Sequence, residues 1–483
     1  MNDNRSKIDA IDEKIMELLE ERFTIVDAVG IEKQIKNLPI YDQSREEAIL
    51  KKADSYLHEQ AIKQVYQTIM QVSKDNQQIS YGLVGKSLPH TLSPFIYKEL
   101  GLLHYGIVET DDFTAFANTS KLKGFNITNP YKKTAFDWCK TKSEEAIRTN
   151  AVNCIIDNKG YNLDFLAIQS IIKTKNYPTR KWKTLIIGNG ATALSMAVAF
   201  GGSIVYLVRN KKNDKEYFIE EYTQFLDADC IINTTPYGTY PQLEKDPLFP
   251  LNAFTNLKLV WDVVYNPLFS PLVKEGMKNK IPVINGLSLL IQQAIYSYQL
   301  YTNTIVDVPY QKMGMIKRKL FNIVLIGLSF SGKSTLAKRL SFLFQKRWID
   351  FDAILASQKK DLKSVLQHGT ITSYRQMEVD LAKQYGNRFS QIIAPGGGIV
   401  LSEEAMLSLK SNAVIVFLDI PIATLIKRMD DTRPLIRNKT DLEQMAEKRR
   451  PFYQKYQDIT LTGEEDEKEV VKKIETYMDN QWA

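Results

Sequence analysis

Over residues 1–78 the apolar positions Ile8, Ile11, Ile15, Leu18, Leu19, Val26 and Val29 recur at helical spacing, which predicts a long amphipathic helix. Leu38-Pro39-Ile40 ends it, Asp42 or Ser44 caps a second helix beginning near Arg45, and a third runs from about Glu59 to Asn76. Three helices with so small a core call for a partner chain. From Tyr81 the pattern shortens to strand-like runs bounded by glycine turns: YGLVG, GFNIT, AVNCII, TLIIGNG, SIVYLVRN, CIINTT and LVWDVVY, with helical stretches between them. That alternation predicts an α/β fold in two lobes split near residue 180. A basic connector, QKMGMIKRK, leads into a third alternating region, FNIVLIG, RWIDFD, QIIAPGGG and AVIVFLD. Boundaries fall near 78 and 318.

Length agrees with this division, since 483 residues predict about three domains. A hydrophobic fraction of 44% and a charged fraction of 25% exclude a disordered or collagenous chain. The N-terminus lacks the apolar core of a secretory signal, and no apolar run reaches the length of a membrane span, so a cytoplasmic protein without membrane contact is expected. Cys139, Cys154 and Cys230 are odd in number and lack CxxC spacing, which argues against a disulfide framework and a cysteine zinc site. The net charge of +7 fits a protein that handles small anions and is too mild to imply nucleic acid. It is unevenly spread: 11 basic against 15 acidic residues in 1–78, 27 against 20 in 79–318, and 25 against 21 in 319–483.

On the first helix Arg22 and Lys33 are eleven residues apart, so they lie about 20° from one another around the axis and roughly 16 Å along it. Two long side chains so placed converge on one ligand. Arg5 is about 25 Å from Arg22 and serves such a site only in a partner subunit. With Asp42, Arg45 and Glu46 in DQSRE, and Ser73 and Gln77 in the third helix, the segment 1–78 resembles the all-helical chorismate mutases, which form intertwined dimers. The resemblance implies that Arg5 of the partner subunit, Arg22 and Arg45 grip two carboxylates. Lys33 and Gln77 then face the ether oxygen, and Glu46 receives the ring hydroxyl. A unimolecular pericyclic rearrangement needs only a held conformer and donors where charge develops.

In the middle segment, Gly188-Asn189-Gly190-Ala191 follows a strand and opens a helix, the setting of a dinucleotide phosphate turn, although Ala193 replaces the third glycine. Arg209, at the end of the second strand, stands where an NAD site carries an acid, and therefore favours the 2′-phosphate of NADP. The runs SLPHTLSPFIY, GFNITNPYKK, AVNCI and YNLDF resemble shikimate dehydrogenase across about 79–316. The resemblance implies a substrate lobe over about 79–180 with C-terminal helices, and a Rossmann NADP lobe over about 181–285. It makes Lys132 and Asp164 the proton-transferring pair, and Thr91, Ser93, Thr128, Asn153 and Gln293 substrate contacts. Tyr265 and Gly286 would lie near substrate and nicotinamide. Thr91 stands where the family has serine, and Leu163 and Phe165 replace small residues around Asp164, which points to a reshaped pocket or slower reaction.

Gly327 to Thr335 reads GLSFSGKST, a complete GxxxxGK[ST] loop between a strand and a helix. Backbone from Gly327 to Gly332, with Ser331 and Thr335, would surround phosphates, Lys333 reach the β and γ groups, and Ser334 support magnesium. With Asp350 and Asp352 after a strand, Arg375, Gly396-Gly397-Gly398, Arg433 and Arg449, the C-terminal segment 319–483 resembles shikimate kinase. The resemblance makes Asp352 the base for the accepting hydroxyl and places Asp350 near magnesium. Arg375 and Arg449 would bind the substrate carboxylate, with Arg450 as the neighbouring alternative to Arg449, and Arg433 would sit on a lid.

The expectation is a multidomain enzyme of aromatic amino-acid biosynthesis: an all-α chorismate mutase dimer domain, an α/β dehydrogenase reducing 3-dehydroshikimate with NADPH, and a P-loop kinase phosphorylating shikimate with ATP and Mg²⁺. The mutase would mainly supply a homodimer interface and sense chorismate or prephenate. Alternatives are a regulatory metabolite-binding protein descended from such enzymes, or a dehydrogenase that is weakened or prefers quinate. Intact Lys132, Asp164, Lys333 and Asp352, without a helix-turn-helix, favour the enzyme.

Overall fold

In a computed structural model the described residues are 2–35, 41–76, 79–88, 91–244, 246–305, 309–358, 371–430, 436 and 438–480. They divide into two compact units, one of Met1–Lys181, Asn189–Gly202 and Leu289–Asp307, the other of Trp182–Gly188, Ser203–Ser288 and Val308–Ala483.

The first unit begins with three helices, α1 (Asn2–Ile35), α2 (Gln43–Lys52) and α3 (Glu59–Asn76). Asp42 caps α2, its Oδ1 accepting the Arg45 N–H at 3.0 Å and the Ser44 hydroxyl at 2.8 Å. Leu38-Pro39-Ile40, expected to end α1, lies outside the described residues. Ile8, Ile11, Ile15, Leu18 and Ile25 remain exposed along α1.

A six-stranded sheet follows, with strands β1 (Tyr81–Gly85), β2 (Tyr105–Glu109), β3 (Gly124–Ile127), β4 (Thr141–Lys142), β5 (Cys154–Ile156) and β6 (Lys159–Tyr161) in the order β2-β1-β3-β5-β6-β4. Val84, Val108, Phe125 and Ile127 pack one face against Phe113 and Phe116. On β3 the buried Asn126 gathers polar groups: the hydroxyls of Tyr97, Tyr105 and Tyr301 donate to its Oδ1 at 2.7, 2.9 and 2.9 Å, and its Nδ2 donates to Ser297 Oγ at 2.8 Å. Ser297 and Tyr301 belong to the helix Gly286–Thr302, so this network ties that helix to the sheet. Asn126→Ala leaves several buried groups without a partner and is expected to cost about 3 kcal/mol, whereas Tyr301→Phe removes one hydroxyl and costs about 1 kcal/mol. Hydrogen exchange of the β3 amides measures both.

The second unit holds two parallel sheets. Strands β7 (Lys183–Ile187), β8 (Ser203–Val208), β9 (Glu216–Phe218), β10 (Cys230–Asn233), β11 (Leu259–Asp262) and β12 (Val283–Ile284) run in the order β12-β11-β10-β7-β8-β9. The order reverses between β7 and β10, the point at which open α/β sheets bind nucleotides. Strands β13 (Asn322–Ile326), β14 (Arg347–Asp350), β15 (Gln391–Ala394), β16 (Ala413–Leu418) and β17 (Ile459–Leu461) run as β14-β15-β13-β16-β17, with β13 central. The basic connector before β13 lies in a helix, Pro309–Leu320. Met313, Ile316, Lys317 and Leu320 bury one side of it, and Lys346 Nζ caps its last turn by donating to the carbonyls of Arg318, Lys319 and Phe321. Among the described residues no helix is long and apolar enough to cross a membrane.

Candidate active sites

A cavity of about 370 Å³ among α1, α2 and α3 is lined by Arg22, Lys33, Asp42, Arg45, Glu46 and Ser73. Arg22 donates to Ser73 Oγ at 2.5 Å, and Ser73 in turn donates to the Ile69 carbonyl. The N–H of Arg45, followed by the Ser44 hydroxyl, holds the Asp42 carboxyl below its usual range. Lys74, which sequence reasoning missed, also lines the cavity and pairs with Glu46 at 3.3 Å. Cations over an apolar floor of Leu18, Ile25, Val29 and Met70 fit a small polyanion with a carbon ring. Arg5 is exposed and does not line the cavity, and Gln77 lies outside the described residues.

In the substrate lobe Lys132 begins the helix Lys132–Trp138, and Asp164 sits in the first turn of the helix Leu163–Thr174. Lys132 Nζ meets Asp164 Oδ2 at 2.6 Å and Thr192 Oγ1 at 3.3 Å. Asn162 caps the second helix by accepting the Phe165 N–H, while its Nδ2 donates to Thr149 and Ser195 at 2.6 and 3.0 Å. Asn153 Oδ1 accepts the Leu163 N–H at 2.7 Å. These bonds orient the turn so that Asp164 faces the lysine while Leu163 and Phe165 are buried, 1% and 2% exposed. Thr91 Oγ1 lies 3.2 Å from Ser93 Oγ, Thr128 is half-buried after β3, and Gln293 is buried, its Nε2 donating to the Leu290 carbonyl.

Gly188 directly follows β7 with φ 104°, and a Cβ there would lie 2.7 Å from Thr234 Oγ1 just after β10, so only glycine fits. Asn189 and Gly190 lead into the helix Ala191–Phe200, which has no side-chain cap at Gly190, and a Cβ on Gly190 would meet open space. Open space before uncapped helix amides fits a dinucleotide phosphate. Arg209 is exposed directly after β8, while Lys211 is paired with Glu221 at 2.7 Å. Tyr265 is half-buried after β11, and Gly286 packs so closely on that segment that a Cβ would overlap the Val263 carbonyl.

A second cavity, about 590 Å³, lies at the carboxyl end of β13 and is lined by Ser331, Gly332, Lys333, Ser334, Thr335, Asp350 and Asp352. Gly327 and Gly332 have φ of 152° and 87°. Lys333 Nζ donates to the carbonyls of Gly327 and Leu328 at 3.0 and 2.9 Å, and Ser334 Oγ donates to Asp350 Oδ2 at 2.6 Å. Ser331 Oγ is buried without a hydrogen-bond partner among the described residues. A glycine-bearing loop leading into a helix without a side-chain cap, a lysine and an unpaired hydroxyl fit nucleotide phosphates, and the Ser334–Asp350 pair fits a magnesium ion at their edge. Among the described residues no group of three or more His, Cys, Asp or Glu side chains could hold a metal.

The acceptor side is built on the Gly396-Gly397-Gly398 turn. A Cβ on Gly398 would overlap the Arg375 guanidinium, and one on Gly396 the Glu378 carboxylate. Tyr374 donates to Asp352 Oδ1 at 3.0 Å, and Tyr453 donates to the Gly397 carbonyl at 2.5 Å. Arg449 is buried beside that turn, whereas Arg450 pairs with Asp419 at the surface. Tyr374 and Glu378 were missed in sequence. Glu378 is 1% exposed and ion-paired with Arg375; burial pushes its carboxyl up and Arg375 opposes the rise. Its signal was the spacing Arg375-x-x-Glu378, which places both on one helix face. Arg433 lies outside the described residues.

Residues 4–78 match the family model for chorismate mutase type II, 83–155 that for the shikimate dehydrogenase substrate binding domain, and 330–479 that for shikimate kinase. A shikimate dehydrogenase (NADP(+)) of Methanococcus maripaludis is 31% identical over 262 residues, 48% of this chain and 94% of the relative. One of Clostridium beijerinckii is 31% identical over 252 residues, 47% of this chain and 93% of the relative. A solved chorismate mutase/shikimate 5-dehydrogenase fusion protein from Clostridium acetobutylicum is 23% identical, with a TM-score of 0.45 over 49% of this chain and 94% of that one. The chain thus belongs to the shikimate dehydrogenase family through its middle part, in a fusion with a chorismate mutase domain before it and a shikimate kinase domain after it in sequence.

Proposed function

We propose that the chain rearranges chorismate to prephenate, reduces 3-dehydroshikimate to shikimate with NADPH, and phosphorylates shikimate with ATP. The domain boundaries fall near 78 and 318. The observation that carries this reading is that each part holds its own constellation of the required charge type: the cationic cavity of Arg22, Lys33 and Arg45, the Lys132–Asp164 pair, and the phosphate loop facing Asp352.

In the mutase, Arg22 and Arg45 hold the substrate carboxylates together with Arg5 of the partner subunit, and Lys33 and Gln77 donate to the ether oxygen. Glu46, now facing Lys74, takes the ring hydroxyl. The apolar row left exposed on α1 supports a homodimer, since burying it requires a second chain.

In the dehydrogenase, Lys132, coupled to Asp164, delivers a proton to the oxygen of the substrate's carbonyl as hydride adds to its carbon, so that the ketone becomes a hydroxyl. Thr91, Ser93, Thr128, Asn153 and Gln293 bind the other polar groups, and Tyr265 and Gly286 border the ring. NADPH supplies hydride when bound, with Gly188, Asn189, Gly190 and Ala191 at its phosphates and Arg209 at its 2′-phosphate. Arrangement of Leu163 and Phe165 in the core supports a functional pair at Lys132 and Asp164.

In the kinase, Asp352 takes the proton of the accepting hydroxyl, Arg375 and Arg449 bind the carboxylate, and Arg433 stabilises charge on the transferred group. Ser334 and Asp350 would hold a magnesium ion, which would neutralise charge on the phosphates. The three free, buried cysteines fit a reducing cytoplasm.

The test is an assay of the purified chain with chorismate, and with 3-dehydroshikimate under NADPH and under NADH. Prephenate formation and at least tenfold better use of NADPH are expected; equal use of both nucleotides would remove the assignment of Arg209.

A further inference from the structure

The segment Tyr265–Phe269 leaves β11 of the nucleotide sheet, yet part of its hydrogen bonding comes from the kinase region. The Leu268 N–H donates to Asn412 Oδ1 at 2.7 Å, and the Phe269 N–H donates to the Ser411 carbonyl at 3.1 Å. Asn412 Nδ2 donates to Asn266 Oδ1 and to the Gly386 carbonyl, both at 3.3 Å. The rings of Phe269 and Phe321 lie 5.8 Å apart beside these bonds. Leu268 and Asn412 are both 0% exposed and Ser411 is 1% exposed, so water does not stand in for either partner.

Asn412 is itself held firmly, since its carbonyl accepts the Asn322 N–H at 2.9 Å at the start of β13. On its other side the segment is fixed by the nucleotide sheet: Asn285 Nδ2 donates to the Leu268 carbonyl at 3.0 Å, and Ser270 Oγ donates to the buried Asp262 at 2.6 Å. Burial raises the Asp262 carboxyl to about 7 despite donors from Ser270, Val264 and Asn233.

We propose that Asn412 is a positioning residue for the dehydrogenase: through it the kinase fold holds the segment that carries Tyr265 and so sets the alignment of substrate for hydride transfer. This rests on the dehydrogenase reading of Tyr265 above. Asn412 enters β16 at the amino end, in register with Asn322–Ala413 pairing, whereas the phosphate loop leaves the carboxyl end of β13, about 16 Å away along the strand. Loss of Asn412 should therefore separate the two activities.

Full-length Asn412→Ala is expected to lower kcat for 3-dehydroshikimate reduction about tenfold, the scale of a lost alignment, with KM for NADPH and kinase kcat each held within about twofold. If that variant is insoluble, Asn412→Asp carries the test, because it keeps the acceptor for Leu268 and loses the donors to Asn266 and the Gly386 carbonyl; the same one-sided loss is expected. Equal losses in both activities, or none in the dehydrogenase, overturn the proposal. Absence of reduction by the unsubstituted chain would instead remove the dehydrogenase reading, and this inference with it.

Discussion

Lys132→Ala lowers the rate of 3-dehydroshikimate reduction by about a thousandfold, the range expected when a positioned proton-transfer group is removed, and leaves shikimate phosphorylation unchanged. The effect is large because Lys132 Nζ, 2.6 Å from Asp164 and 3.3 Å from Thr192, is held for one task. Alanine also leaves the Asp164 carboxylate, 8% exposed, without its cation. The loss should appear in kcat more than in the KM for NADPH. Initial rates followed at the NADPH absorbance band measure it, and a variant retaining more than a tenth of the activity would exclude Lys132 as the proton-transfer group.

Lys333→Ala removes kinase activity by a comparable factor, about a thousandfold, because a fixed cation at the transferring phosphoryl group is lost. Lys333 Nζ donates to the Gly327 and Leu328 carbonyls. Phosphates in the loop would take over those bonds, so the lysine needs little reorganisation to reach them. Dehydrogenase activity should be untouched, as Lys333 lies on the cavity beyond β13. Coupled ADP release reads the effect, and weakened ATP binding without loss of kcat would contradict a role in transfer.

Much of the fold was legible because its signals are local. A complete phosphate loop between strand and helix needs no distant information, and neither do the buried apolar runs of β7, β10, β13 and β16. The mutase cavity was legible for a different reason: helical geometry places Arg22 and Lys33 on one face, and both line it.

What sequence missed depended on partners far along the chain. The helix Pro309–Leu320 was obscured by its lysines and arginines, one of which, Lys317, is buried against Ser288. Lys74 and Glu378 were not singled out in sequence, because the partners that place them beside the cavities, Glu46 and Arg375, show only in the structure. Arg449 was preferred in sequence with Arg450 as the alternative; Arg449 lies beside the glycine turn and Arg450 pairs with Asp419. Asn412 precedes an ordinary strand, and its bond to Leu268, across 144 positions, has no sequence signature.

One chain is expected to carry out consecutive reduction and phosphorylation. This is tested by giving the purified full-length protein 3-dehydroshikimate, NADPH, ATP and magnesium together and following products by mass. Formation of shikimate 3-phosphate, with one NADPH oxidised and one ADP released per product, is the predicted result. Shikimate that accumulates without phosphorylation, or NADPH that stays reduced, would contradict it.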